Sequence, residues 1–189
     1  IRDINDLERA VDERTAALKI ARERVTAAVA QEAASRPTLD LMQLHHGLAQ
    51  LAAYEGRMAD AIESFEQAYA LARAADAAES MLQMEQALGV AHLHKAGIDN
   101  LVHAHPGEFC LLHQWPAGRY DKTEDVERAV AYFERYLERK PEEREVWWLL
   151  NLAHMRLGSY PSGVPSAYLI QPTAFEAGAE RVGRFHDVA

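Results

Sequence analysis

The sequence predicts an all-α fold in which helical hairpins stack into a short solenoid. Alanine, leucine, glutamate and arginine dominate its 189 residues, whereas most glycines and prolines fall within residues 96–120 and 158–183. The abundant residue types have high intrinsic helix propensity. Apolar residues also recur at steps of three and four over most of the chain, which places them on one face of each helix. A hydrophobic content of 49% is sufficient for a folded core.

The first predicted element is one long helix within residues 1–35. Its end is expected at Arg36-Pro37, because the residue before a proline is disfavoured in the α region. A helix of this kind serves either as a cap over the exposed end of a helical array or as a docking segment for a partner, and both interpretations stay open. The apolar side chains that share one stripe of this helix are Ile4, Leu7, Val11, Leu18, Ala21, Val25, Ala28 and Val29.

Residues 36–160 are predicted to contain the helical repeats. Gly56 separates the first two repeat helices and suits the left-handed conformation that closes a helix, and Gly97 is expected to end the third. Residues 96–122 form a predicted insertion that contains two prolines, three glycines, three histidines and the only cysteine, and loops of this length are often functional. Residues 161–189 are predicted to form an extended tail. The expected repeat helices are 39–54, 58–74, 77–95, 123–140 and 141–157.

Small and aromatic residues in this region have the spacing of a tetratricopeptide repeat. That repeat is a pair of helices marked by W-x2-L-G-x2-Y on the first helix and A-x3-F, then proline, on the second. Ala61-x3-Phe65 matches the second helix once, and Ala129-x3-Phe133 followed by Pro141 matches it again. The alanines allow the helices to approach and the aromatic residues fill the space between pairs, so these side chains are expected in the core. The next helix carries Trp147-x2-Leu150 and then Gly158-x-Tyr160.

The C-terminal part of the chain resembles a narrower family. The segments EVWWLLNLAHM at 145–155, LGSYP at 157–161 and GRFHDVA at 183–189 are similar to bacterial proteins of the ASPIC/UnbV, FG-GAP (VCBS) type. In that family a tetratricopeptide segment precedes a β-propeller. The resemblance implies that residues 161–189 lead to a propeller domain outside this chain, and that the setting is extracytoplasmic, either periplasmic or secreted, with a cytoplasmic setting as the alternative. The start at Ile1, without an initiator Met, also suggests a portion of a longer protein.

The insertion carries the candidate metal ligands of the sequence. Proteins of the same family have a histidine followed shortly by a cysteine in an insertion between two repeat helices, and His105 and Cys110 match that outline. Together with His103 and His113 they supply imidazole and thiolate groups, which zinc and copper prefer. We call these four residues the insertion ligand set. Packing of the insertion against the helices, metal binding and redox chemistry at the thiol are the alternatives for this set.

The composition, and the lack of several motifs, limit the classes of function that are expected. The 29 acidic and 20 basic residues give a net charge of −9, which disfavours nucleic acid and anionic membrane surfaces as partners. The sequence has no apolar run that could span a bilayer. A single cysteine excludes an intrachain disulfide framework. A nucleophilic-serine motif, a phosphate-binding loop and a dinucleotide fingerprint are all missing, so a free-standing enzyme is not expected.

The preferred functional hypothesis is a scaffold or adaptor that binds a partner protein, or its own propeller domain, in the concave groove of the stacked helices. Gln43, Gln50 and Glu85 are predicted to line that groove. One alternative is a metal-dependent, oxidative protein in which the insertion ligand set holds copper or zinc. Another is a structural subunit of a large membrane-associated or electron-transfer assembly.

Overall fold

A computed structural model of the chain describes residues 4–32, 36–104, 118–171 and 173, and within these ranges it contains α-helices and no strand. The all-α prediction is therefore confirmed for this part of the chain. None of these helices combines the length and the apolar character needed to cross a bilayer. The six helices are α1 Ile4–Glu32, α2 Thr38–Tyr54, α3 Met58–Ala74, α4 Ala78–Asp99, α5 Glu124–Arg139 and α6 Arg144–Leu157.

Each helix packs mainly against the helices that precede and follow it in the sequence, and α4 also contacts α6. The connection between α2 and α3 is only three residues long, and Gly56 within it has a φ of +76°, as its predicted role requires. Gly158 closes α6 in the same left-handed conformation, with a φ of +73°. These glycines tolerate a backbone conformation that a Cβ atom would strain. Short connections therefore keep consecutive helices side by side.

The core consists of two main clusters that follow the predicted pattern of small and aromatic residues. Ala61 and Phe65 lie in the cluster formed by α2, α3 and α4, and Ala129 and Phe133 lie in the cluster formed by α4, α5 and α6. All four side chains are buried, which confirms their predicted place. Trp147 is only partly buried, and its indole Nε1 donates a hydrogen bond of 2.8 Å to the carbonyl of Pro141. The A-x3-F spacing thus identifies helix contacts correctly.

Helix α4 is longer than the sequence predicts, because Gly97 does not end it. The helix continues to Asp99, and Gly97 is buried opposite Tyr120, whose hydroxyl would lie 3.5 Å from an added Cβ. A glycine inside a helix costs only about 1 kcal/mol relative to alanine, so packing can outweigh it. Asn100 closes the helix instead, since its backbone N–H donates to the carbonyl of Ala96 at 3.0 Å. The insertion therefore begins at residue 100 and not at residue 96.

Candidate functional site

A mainly apolar cleft of about 260 Å³ lies between α4 and α6, and we call it the α4–α6 cleft. Val90 stands at its rim with 43% of its surface exposed, whereas Leu93 below it is 9% exposed. Leu149 and Leu152 line the opposite wall and are partly buried. The remaining lining residues are Gly97, Val102, His94, His103, Tyr120 and Arg156.

Helical spacing aligns these side chains. On α4 the residues Val90, Leu93 and His94 lie at i, i+3 and i+4, and on α6 Leu149 and Leu152 lie three residues apart, so each set shares a helix face. Trp148 lies four residues before Leu152 and has 41% of its surface exposed. Large exposed apolar residues next to a concave apolar surface are typical of binding sites. The cleft is thus the strongest candidate site in the described part of the chain.

The end of the insertion is fixed against α6 beside the cleft. The backbone N–H of Tyr120 donates to the carbonyl of Arg156 at 2.8 Å, and Arg156 Nη1 donates to the carbonyl of Gly118 at 3.0 Å. The guanidinium of Arg156 also lies over the ring of Tyr120, 5.0 Å from its centroid. Burial raises the pKa of Tyr120 against the opposing effect of Arg156, so the phenol stays protonated at neutral pH. One wall of the cleft is therefore rigidly held.

Asn100 joins the two ends of the insertion. Its side-chain Nδ2 donates to the carbonyls of Ala96 at 2.8 Å and Lys122 at 3.0 Å. Its Oδ1 accepts from the backbone N–H groups of Asp121 at 2.9 Å and Lys122 at 3.0 Å. One amide side chain thus satisfies four backbone groups, and the chain leaves α4 and returns to α5 at one point next to the cleft. The only sequence signal for this role is an asparagine placed where a helix ends.

Two exposed histidines approach each other at the cleft. The rings of His94 and His103 are 6.1 Å apart and nearly perpendicular. His92 faces another side of α4 and is buried, whereas His94 is exposed. His105, Cys110 and His113 lie outside the described residues, and the predicted metal site remains a prediction. Among the residues that the structure describes, no three histidine, cysteine, aspartate or glutamate side chains are grouped so that they could hold a metal ion.

The three predicted groove residues have different environments. Gln43 and Gln50 are exposed on α2, seven residues apart and therefore on one face. Glu85 is only 2% exposed, accepts a hydrogen bond of 2.7 Å from the hydroxyl of Tyr69 and forms an ion pair with Arg139. Glutamate is rarely buried without partners, and here α3 and α5 supply them. Glu85 therefore holds three helices together instead of facing a groove.

A second polar network connects α4 to α5. His92 Nδ1 lies 2.7 Å from Asp125 Oδ1, and Lys95 Nζ donates to Asp125 Oδ2 at 2.6 Å. Burial lowers the pKa of His92 in spite of the hydrogen bond to Asp125, so the ring is neutral at pH 7. Burial by itself raises the pKa of Asp125, but the hydrogen bonds from Lys95 and His92 outweigh it and lower the pKa overall. The His92 side chain is fully buried, and this network joins α4 to α5.

Comparisons of the chain with protein-family models, with curated proteins and with solved structures find no match. The α4–α6 cleft, with its geometry and chemistry, is therefore the main evidence on function.

Proposed function

We propose that this chain is a tetratricopeptide-type interaction module that binds an apolar segment of a partner protein in the α4–α6 cleft. The observation that carries the proposal is the cleft itself, in which the exposed Val90 and the partly buried Leu149 and Leu152 line one concave surface. Binding lowers the free energy when a partner side chain displaces water from exposed apolar surface next to a cavity. Binding is thus the simplest use of this surface.

The repeat pattern supports this proposal. Leu88-Gly89-x2-His92 on α4 has the spacing of the L-G-x2-Y positions, and α5 carries Ala129-x3-Phe133. On this basis α4 and α5 are the two helices of one repeat with the insertion between them, and α6 is the first helix of the next. Stacked repeats create extended concave binding surfaces. In our proposal α2, α4 and α6 line that surface, and the exposed Gln43 and Gln50 continue it along α2.

The polar groups at the cleft favour a neutral or acidic ligand. His94, His103 and Arg156 border the apolar lining, and no acidic side chain does so among the residues described there. The chain as a whole carries a net charge of −9, so a lining free of carboxylates contrasts with the remaining surface. Charge complementarity at an interface suppresses wrong partners more than it raises affinity. We therefore propose a partner segment with apolar side chains flanked by neutral or acidic residues.

Substitution of Val90 by glutamate is expected to weaken the binding of such a segment by roughly tenfold or more, because it places a charge at an apolar contact. Peptides selected from a random displayed library on the folded protein provide the ligand, and fluorescence anisotropy measures the dissociation constant. Ile20→Glu is the matched control, since Ile20 on α1 is 50% exposed and lies outside the cleft and outside the proposed surface of α2. Equal affinities of the two variants, or failure to select any peptide, would contradict the proposal.

A second candidate function is the binding of copper or zinc, favoured by the approach of His94 and His103 at the start of the insertion. Two imidazoles are a partial ligand set for either ion, and His105, Cys110 and His113 follow in the sequence. Elemental analysis of the purified protein tests this function. We expect near-stoichiometric metal in the wild type and its loss in the His94→Ala/His103→Ala variant, whereas a wild type without metal would exclude it.

An extracytoplasmic setting, and a propeller elsewhere in a longer chain, belong to the same proposal of an interaction module. Both are supported by the resemblance of residues 145–161 to the family named above.

A further inference from the structure

The first half of α1 presents an apolar stripe that the described part of the chain leaves uncovered. Ile4, Leu7 and Val11 are 64%, 43% and 54% exposed and lie on one face at i, i+3 and i+7. From Leu18 onward the same stripe is partly buried, and α1 packs on α2. A helical segment of this length without tertiary contacts is only marginally stable in water. Burial of the stripe against a partner would therefore stabilise it.

A second cleft lies beside α1, and we call it the α1 cleft. It has a volume of about 500 Å³ and opens between α1 and the turn that joins α2 to α3. Its apolar lining comes from Val11 and Leu18 on α1 and from Tyr54, which is 69% exposed. An apolar helix face of matching size would cover these side chains.

The first half of α1, residues 4–13, is acidic, whereas the α1 cleft is basic. Residues 4–13 carry four carboxylates and a single arginine, Arg9. Glu55 is the acidic residue of the α1 cleft, and its Oε2 lies 2.9 Å from Arg22 Nε and 3.4 Å from Arg57 Nη1. Four basic residues line the same cleft, namely Arg14, Lys19, Arg22 and Arg57.

These two complementary surfaces meet only if two chains associate. The acidic residues 4–13 and the basic residues Arg14, Lys19 and Arg22 belong to one continuous helix, which cannot fold back on itself. In a dimer, the acidic residues 4–13 of each copy can contact the basic α1 cleft of the other copy. Such self-complementary contacts are typical of twofold-symmetric dimers.

We propose that two copies of this chain associate through α1 as an antiparallel pair, with Ile4 and Leu7 of each copy in the α1 cleft of the other. Antiparallel pairing places the acidic residues 4–13 of each copy against the basic α1 cleft of the other. Parallel pairing in register would instead set Arg14 against Arg14 at the contact and carboxylates against carboxylates. A charged residue at a buried helix position fixes orientation in this way. The dimer leaves the α4–α6 cleft to a separate partner.

The mass of the protein in solution tests this dimer. Light scattering after size-exclusion chromatography should give a mass that rises with concentration toward twice the 21.2 kDa of one chain. Leu7→Glu should weaken the dimer by more than about tenfold, because it places a carboxylate in the apolar contact. Ala16→Glu adds the same charge off the stripe on an exposed face and should leave the dimer intact. A wild type that stays monomeric, or equal effects of the two variants, would overturn the proposal.

Charge reversal tests the antiparallel orientation. Glu8→Lys and Lys19→Glu should each weaken the dimer by roughly two- to fivefold, and the chain with both changes should recover most of the loss. In a parallel dimer each residue would face its own counterpart, so the single changes would not weaken it. Circular dichroism of each variant, measured at protein concentrations too low for dimerisation, checks that the fold is retained. Failure of the double variant to recover would exclude the antiparallel arrangement.

Discussion

Replacement of Gly89 by alanine is expected to lower the free energy of unfolding by about 2–3 kcal/mol, as overpacked core substitutions do. Gly89 is buried within α4. A Cβ atom there would lie 2.7 Å from Cδ1 of Phe133 and closer still to its Cε1. The ring of Phe133 is fully buried in the core cluster of α4, α5 and α6, so it cannot move aside without disturbing its neighbours.

The matched control for this substitution is Gly47→Ala in the interior of α2. A Cβ atom at Gly47 would have no neighbour within 4 Å, so the substitution should raise stability by up to about 1 kcal/mol through helix propensity alone. Urea unfolding followed by circular dichroism gives both changes from the midpoints. Opposite signs for the two alanines support the close contact of α4 with α5. Stabilisation by both would show that the two helices are not this close.

Replacement of Arg139 by methionine is expected to destabilise the protein by about 2–3 kcal/mol, because it leaves the buried carboxylate of Glu85 without its cation. The side chain of Glu85 is 3% exposed, whereas that of Arg139 is 35% exposed. The expected loss is therefore smaller than for a fully buried pair. The hydrogen bond of 2.7 Å from Tyr69 remains and compensates only part of the charge.

A double-mutant cycle distinguishes this explanation from lost packing. Glu85→Leu removes the buried carboxylate, so Arg139→Met should cost much less in that background than in the wild type. Thermal or urea unfolding of the four proteins gives the coupling energy. An Arg139→Met loss of the same size in both backgrounds would mean that Arg139 acts through its aliphatic stem and not through Glu85.

Local patterns predicted much of the fold. The A-x3-F pairs identified core positions on α3 and α5, and Gly56 identified the turn between α2 and α3, because these roles depend on short-range spacing. The end of α4 was predicted at Gly97, whereas the helix continues to Asp99. The reason is tertiary, since Tyr120 from the far end of the insertion packs against Gly97 and Asn100 closes the helix.

The candidate site was harder to predict. Gln43 and Gln50 are exposed and their place in a groove stays a prediction, but Glu85 is buried because its partners Tyr69 and Arg139 come from α3 and α5. Val90 and Leu149 are ordinary apolar residues in the sequence, and only the packing of α4 beside α6 places both in one cleft. The L-G-x2-Y spacing of Leu88, Gly89 and His92 is the sequence signal for the proposed assignment of α4 as the first helix of a repeat.

Photocrosslinking from the cleft tests most directly whether the α4–α6 cleft binds a partner segment. A benzophenone amino acid at position 90 or 149, both in the lining of the cleft, should crosslink to a library-selected peptide. The same group at position 20, where the native isoleucine on α1 is 50% exposed, should not. Mass spectrometry of the crosslinked product identifies the attached residue. Crosslinks from positions 90 and 149 alone are the predicted result, and crosslinks from position 20 alone, or equally from all three, would contradict the proposed function.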